Sequence, residues 1–495
     1  MMKIADFLAP WFDDLSDNEL CKTHFEHLVL DSRKVQQEDI FVAIPGHQVD
    51  GRRFINQAIE RGAVLCLAHT NEMKQHGLIE QAEKSKILYF YQLAEQLSTI
   101  ACHRYPVDNN ALKIIAVTGT NGKTTVSQLI AQLARLTGIN SAVMGTLGNG
   151  LWGQLQDTGN TTADAITVAK QLHELQQQGV RLCVMEVSSH ALIQHRVAAI
   201  SFSSAIMTNL SRDHLDYHGD MASYAAAKKQ LFQFPSLSHQ VFNLDDDTAQ
   251  QWFVEMSSDI GVGFSVEQQN GATFATRNEQ FHPQGMTADF SWPDGHGKIE
   301  SSLLGHFNLS NLVAAITVMA LEGFDVHQLL ENVPKLEAVP GRMECYHTKN
   351  RASVVVDYAH TPDALAKALD AIRLHCDNQL WCLFGCGGDR DKGKRALMAK
   401  TAEQKSDNVV ITSDNPRTES PQQIIADILT GINRLNTVSV EADRVTAIKQ
   451  SFAQIQAGDV LLLAGKGHET YQEINGVKHH YDERALVTEL VRAQP

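Results

Sequence analysis

The stretch Val117-Thr118-Gly119-Thr120-Asn121-Gly122-Lys123-Thr124-Thr125 carries the sharpest chemical signal in the chain. Glycines let backbone N–H groups turn toward an anion, and the dipole of a following helix favours negative charge there. Read this way, Gly119, Thr120, Asn121, Gly122, Lys123, Thr124 and Thr125 cradle the phosphates of a nucleoside triphosphate. Lys123 adds a point charge for the β- and γ-phosphates, and the Thr124 hydroxyl is placed to ligate Mg2+. The first glycine stands three residues before Gly122, where the common phosphate loop has five. The competing reading is an ordinary glycine-rich turn. An apolar strand before the loop and an amphipathic helix after it, with Val126, Leu129, Ile130, Leu133 and Leu136 on one face and Gly138 as C-cap, favour the phosphate site.

Those elements belong to a wider pattern. Short β-branched runs alternate with helical stretches, the mark of α/β architecture with mainly parallel sheets. Strands are expected at Lys113–Thr118, Leu182–Val187, Ser203–Thr208, Ser353–Asp357, Leu380–Phe384, Asn408–Thr412 and Asp459–Ala464. Thr361-Pro362 and Ser420-Pro421 open helices, the second with a capping-box glutamine, Gln423. Polar breaks at 105–110 and at Val333-Pro334 to Val339-Pro340-Gly341 divide the chain into 1–110, 111–338 and 339–495. Gly148-Asn149-Gly150-Leu151-Trp152-Gly153 matches a dinucleotide fingerprint by letter, but no helical pattern follows it, so it reads as a turn.

Composition narrows the functions. The chain has 495 residues, 43% of them hydrophobic, and a formal net charge of -15 from 57 acidic and 42 basic residues. That balance argues against nucleic acid or an anionic membrane as partner. No apolar run is long enough to span a bilayer, and the acidic start lacks a signal peptide's cationic end, so a cytoplasmic protein is expected. Eight scattered cysteines read as reduced thiols, with Cys382 and Cys386 in the core.

In open α/β sheets ligands bind beyond the carboxyl ends of strands. Glu186 leads there into Ser188-Ser189-His190, and Asn209-Leu210-Ser211-Arg212-Asp213-His214 follows another strand. A carboxylate beside a phosphate loop suits Mg2+. The guanine-reading Asn-Lys-x-Asp of GTP switches is absent.

Together with Gly305-His306-Phe307-Asn308-Leu309-Ser310-Asn311, Gly341-Arg342-Met343-Glu344 and Asp357-Tyr358-Ala359-His360-Thr361-Pro362, these motifs resemble, in order, those of the Mur ligase family of ATP-dependent amide-bond-forming enzymes. The resemblance implies three domains: a small α/β domain for a UDP-sugar, a central phosphate-loop ATPase and a Rossmann-like lobe for an incoming amino acid. It implies catalytic roles for Lys123, Glu186, His214 and Lys228, with magnesium held by Thr124, Glu186, His214 and Lys228 as N6-carboxylysine. By its residues alone, Lys228 is a solvated helix lysine. Asn308 and Asn311 would approach adenine, Arg342 the phosphates and Asp357 the nucleotide. Leu30, Ser32, His47, Gln48, Val49, Asn160, Thr161, Thr162, Ser188, Gln194 and Arg196 would hold a UDP-N-acetylmuramoyl peptide. Val49 replaces the family's usual alanine.

The last lobe adds specificity. Three strand-end loops carry Arg390, then Asp414-Asn415-Pro416-Arg417, then Gly465 and Glu469. Arg390 and Arg417 suit carboxylates and Glu469 an ammonium, a set that diaminopimelate would use in full. Opposite a lysine substrate an arginine would stay unpaired. The expected reaction adds diaminopimelate to the D-glutamate γ-carboxylate of UDP-N-acetylmuramoyl-L-alanyl-D-glutamate through an acyl phosphate, by a monomer. The alternatives are a lysine-adding relative, a folylpolyglutamate synthase-like ligase and a nucleotide switch.

Overall fold

The computed structural model describes residues 1–12, 19–46, 49–82, 85–256 and 259–494. Chain contacts divide it into two compact units, Met1–Lys123 with Gly138–Gln240 and Thr124–Thr137 with Val241–Pro495.

The first unit opens with a five-stranded sheet in the order Leu28–Val29, Ile40–Ala43, Leu65–Thr70, Lys86–Tyr91, Ile79–Gln81, parallel except at the last pair. Leu65–Thr70 is buried throughout, because successive side chains point to opposite faces and both faces are covered. Leu67 joins Phe7, Phe25 and Phe90 in one cluster, and Cys66 joins Phe41 and Ala58 in another.

The same unit holds Lys113–Thr118 between the parallel strands Leu182–Glu186 and Ser204–Met207. Ser141–Gly145 lies parallel beyond Leu182–Glu186, and Gly148–Leu151 returns antiparallel along it. The fingerprint look-alike is therefore a hairpin strand. Only Lys113 of the Lys113–Thr118 run is exposed. Register sets Glu186 opposite Val117 and Met207 opposite Thr118. Three parallel strands thus end level, and their following loops share one edge.

In the second unit, Lys123–Leu136 forms the helix that its periodicity predicts, apart from its first residue, Lys123, which belongs to the first unit. Val126, Leu129, Ile130 and Leu133 are buried, whereas Leu136 is exposed, because the helix stops there before Gly138 at φ +85°. A meander, Phe274–His282, Gly285–Trp292 and Gly295–Ser301, pairs antiparallel.

The six-stranded sheet of this unit runs Glu344–His347, Ser353–Asp357, Val460–Ala464, Leu380–Phe384, Asn408–Ile411, Val438–Val440. Every pair but the first is parallel. Val355, Cys382 and Phe384 pack on one face with Leu365, Met398 and Ile424, while Val354, Val356 and Leu383 pack on the other with Ala447, Ile448 and Val487. Helices on both faces explain the near-continuous apolar strands. Cys382 and Cys386 are buried and burial pushes both thiols up to about 12, as core thiols require. Thr361 caps Pro362–Arg373 by accepting from the Ala364 N–H. Ser420 makes no such cap; its hydroxyl donates to Gln422 Oε1 instead, and Gln423 reaches forward to Asp427.

Helix Arg444–Gln454 and helix Glu483–Arg492 meet through a buried ion pair, Arg444 Nε to Glu483 Oε2 at 2.6 Å. Arg444 Nη2 also donates to the carbonyl of Ala464 at 3.0 Å, so this pair fixes a strand end that opens onto Gly465. Glu483→Ala strands the guanidinium in the core and should lower unfolding free energy by about 3–5 kcal/mol. Urea denaturation checks this, and Arg444→Met with Glu483→Leu should lose far less.

Candidate active site

Each unit gathers a separate set of the expected residues. In the first, the loop after Lys113–Thr118 is held by the loop after Ser204–Met207. The Thr120 N–H donates to the Asn209 carbonyl at 2.8 Å. The Asn121 N–H donates to Asn209 Oδ1 at 3.0 Å, and the Thr208 hydroxyl donates to the Asn121 carbonyl at 2.6 Å. Gly119 has φ +142°, and any side chain there would collide with Thr208 Oγ1. Thr208 was not singled out in the sequence, since a threonine ending a strand carries no signal by itself.

Lys123 Nζ donates to the carbonyls of Gly119 and Thr120, both at 2.9 Å. Lys228 Nζ donates to the same Gly119 carbonyl at 2.9 Å. The solvated-lysine reading fails here, because Lys228 is 1% exposed and its nitrogen lies 4.8 Å from the centre of the Tyr224 ring. Burial first, then the charge of Lys123, push the Lys228 ammonium well below the usual lysine range, with Asp213 opposing. A neutral amine retains a lone pair, which is what attack on CO2 needs.

Glu186 is fully buried. Its carboxylate accepts from the Thr146 N–H at 3.1 Å and from the Thr146 hydroxyl at 2.9 Å, and Thr146 in turn meets Thr161 at 3.1 Å. The Thr162 hydroxyl donates to the Glu186 carbonyl at 2.8 Å, and the Ser188 N–H donates to Thr162 Oγ1 at 3.1 Å. Arg196 Nη1 donates to the Thr162 carbonyl at 2.6 Å, while Gln194 Oε1 accepts from Arg196 and Gln194 Nε2 donates to the Tyr217 hydroxyl at 3.1 Å. Thr161, Thr162, Ser188, Gln194 and Arg196 therefore form one network with Glu186. Asn160 is exposed.

His214 takes φ +53° and packs edge-on against His190 at 5.0 Å. Among the described residues no three His, Cys, Asp or Glu side chains cluster as a metal cage. Mg2+ asks for less, since one or two carboxylates complete its shell together with substrate phosphates and water. A buried carboxylate on the strand next to the phosphate loop fits that requirement.

In the five-stranded-sheet region, Ser32 is buried and donates to Gln57 Oε1 at 2.6 Å. Leu30 is half-buried and Val49 is exposed. His47 and Gln48 lie outside the described residues.

In the second unit, the three loops after Leu380–Phe384, Asn408–Ile411 and Val460–Ala464 do converge. The Gly388 N–H donates to the Asn415 carbonyl at 2.9 Å, and Gly388 lies so close to the Pro416 carbonyl that no side chain fits. Asn415 Nδ2 donates to Glu469 Oε2 at 3.0 Å. Lys466, fully buried and not assigned from the sequence, joins the loops by pairing with Asp414 at 3.2 Å and Glu469 at 3.2 Å and donating to Asn415 Oδ1 at 2.6 Å. The Gly465 N–H donates to the Asp357 carbonyl at 3.0 Å. Arg417 pairs with Glu473, and Arg390 is exposed. Arg395, one of the cations that crowd this loop in the sequence, is fully buried between Glu419 and Asp427 and serves the fold.

Asp357 accepts from the N–H groups of Met343 at 2.8 Å and Ala359 at 2.9 Å, and burial raises its carboxyl against the pull of Arg342. Arg342 lies 4.7 Å over the Tyr358 ring. Asn308 and Asn311 are buried on helix His306–Leu321, joined by a 3.3 Å hydrogen bond.

Family models match three stretches: "Mur ligase family, catalytic domain" at 24–105, "Mur ligase middle domain" at 117–319 and "Mur ligase, glutamate ligase domain" at 341–467. A UDP-N-acetylmuramoyl-L-alanyl-D-glutamate–2,6-diaminopimelate ligase of Vibrio vulnificus (strain YJ016) is 45% identical over 490 residues, 99% of this chain and 98% of that protein. A solved structure of a ligase of that name superposes with TM-score 0.75 at 39% identity, covering 99% of each chain. Folylpolyglutamate synthase of Mycobacterium tuberculosis, complexed with ADP and AMPPCP, shares the fold at TM-score 0.58 and 18% identity, over 75% of this chain and 92% of its own. With three family models matched in order and a 45% identical relative aligned over 99% of its length, the chain belongs to the Mur ligase family.

Proposed function

We propose that the chain joins meso-diaminopimelate to the D-glutamate γ-carboxylate of UDP-N-acetylmuramoyl-L-alanyl-D-glutamate, consuming ATP, as a cytoplasmic monomer making a peptidoglycan precursor. The observation that carries this reading is the meeting of Asp414–Arg417 with Gly388 and Glu469, which puts cationic and anionic groups around one place. The name of the Vibrio relative supports the same substrate. No helix among the described residues is long and apolar enough to cross a membrane. Residues 1–110 would bind the UDP-sugar, 111–338 ATP and 339–495 the amino acid.

The γ-phosphoryl group of ATP passes to the glutamate carboxylate, breaking the bond to the β-phosphate oxygen and giving an acyl phosphate and ADP. An amine of diaminopimelate attacks the acyl carbon, loses a proton and expels phosphate. The Gly119–Thr125 loop holds the phosphates through those backbone N–H groups that Asn209 does not take, together with the Lys123 ammonium. Asn308, Asn311, Arg342 and Asp357 hold the rest of the nucleotide. Thr124, Glu186, His214 and carboxylated Lys228 would hold magnesium, which would neutralise charge at the transferring phosphoryl group. Leu30, Ser32, His47, Gln48, Val49, Asn160, Thr161, Thr162, Ser188, Gln194 and Arg196 hold the UDP-sugar peptide. Arg390, Asp414, Asn415, Pro416, Arg417, Gly465 and Glu469 hold diaminopimelate.

Phosphate release should require both the UDP-muramoyl dipeptide and diaminopimelate, and an amino-acid panel should show lysine used poorly. Equal use of lysine refutes the specificity. Lys123→Ala should abolish turnover, whereas Arg417→Ala should raise KM for diaminopimelate about 10- to 100-fold and leave kcat nearly unchanged.

Lys228 binds a proton less readily in the folded chain than in the unfolded one. Its contribution therefore destabilises the unmodified fold increasingly as pH falls below the ordinary lysine range. Lys228→Met should abolish turnover yet melt above the unmodified, uncarboxylated wild-type enzyme at pH 7, by an increment that shrinks toward about pH 10–11. Calorimetry across pH checks the sign.

A further inference from the structure

Arg417 has φ +51°, a left-handed backbone that a long side chain adopts only under constraint. The constraint comes from the hairpin Tyr471–Ile474 and Val477–His480. The Arg417 N–H donates to the Glu473 carbonyl at 3.0 Å, and the Arg417 carbonyl accepts from the Asn475 N–H at 2.8 Å. Together they make a lone parallel bridge between Arg417 and Ile474.

Glu473 acts on the tetrad in two further ways. Its N–H donates to Asn415 Oδ1 at 2.8 Å, and its carboxylate Oε2 accepts the Arg417 Nε proton at 3.1 Å. On the other side, Arg417 Nη1 donates to the Gly388 carbonyl at 2.8 Å. A guanidinium has five N–H donors. With Nε and one Nη1 proton committed, the Nη2 pair and the second Nη1 proton remain for a carboxylate, and a planar fork binds one best when its orientation is fixed beforehand. The Arg417 side chain is 22% exposed, so a ligand can reach the remaining donors.

We propose that Glu473 is a positioning residue for amino-acid specificity: it locks the Arg417 fork so that its free donors meet the second carboxylate of the incoming diamino acid. This rests on the reading of the three-loop cluster as the amino-acid site. Glu473 lies 56 residues from Arg417 in the chain, outside every motif quoted above. A glutamate that merely competed with the substrate carboxylate would have the opposite signature, since its removal would tighten binding.

Wild-type enzyme is first assayed with diaminopimelate and lysine in parallel. Equal use of both overturns the reading of the site itself, whatever Glu473 does. Given selectivity, Glu473→Ala should raise KM for diaminopimelate about tenfold, leave KM for ATP and for the UDP-dipeptide unchanged and hold kcat within about twofold. Glu473→Gln, which keeps an oxygen to accept the Nε proton, should recover most of the loss. An unchanged or lowered KM for diaminopimelate overturns the inference, as does an equal rise in all three KM values. Should Glu473→Ala fail to fold, Glu473→Asp decides: a rise confined to the diaminopimelate KM supports positioning, and an unchanged value refutes it.

Discussion

Parallel pairing forces strands to finish at a common edge, and both units depend on that constraint. Thr118, Glu186 and Met207 end level in one sheet, and Asp357, Phe384, Ile411 and Ala464 in the other. Loops leaving such an edge start a strand spacing apart, roughly 5 Å, so residues far apart in sequence become neighbours without any special device. The antiparallel Phe274–Ser301 meander carries none of the expected site residues.

Polar groups gathered at a half-buried edge must satisfy one another, and the pairing is what turns proximity into function. In the first unit, two lysines share the Gly119 carbonyl, and the deeper one gives up its proton more easily because burial and its neighbour oppose the charge. In the second, Lys466 is equally buried but faces Asp414, Glu469 and Asn415, so it joins loops through ion pairs and a hydrogen bond. The same residue type takes opposite roles according to what surrounds it. Where a guanidinium has all its partners inside the fold, as Arg395 does with Glu419 and Asp427, it is structural. Where part of its donor set still reaches solvent, as in Arg417, recognition is open to it.

Much of this was legible in the chain. Burial on both faces left Lys113–Thr118, Ser353–Asp357 and Leu380–Phe384 with apolar interiors, and the observed strands match them end to end. Other ends shifted by a residue: Val187, Ser203, Thr208, Thr412 and Asp459 fall just outside the observed strands Leu182–Glu186, Ser204–Met207, Asn408–Ile411 and Val460–Ala464. Glycine, lysine and threonine types fixed the phosphate loop, since few other residues tolerate that backbone and offer that charge.

What sequence alone determined, then, were local matters: strand runs, the phosphate loop and the polar loops that follow strands, because periodicity and backbone tolerance act over a few residues. Tertiary structure decided which polar residues are buried and with whom. Lys228 looked solvated until the fold placed it over Tyr224 and against Gly119, and Glu473 meant nothing until a hairpin brought it to Arg417. Desolvation and charge pairing depend on neighbours distant in the chain, so their effects cannot be read from composition or spacing.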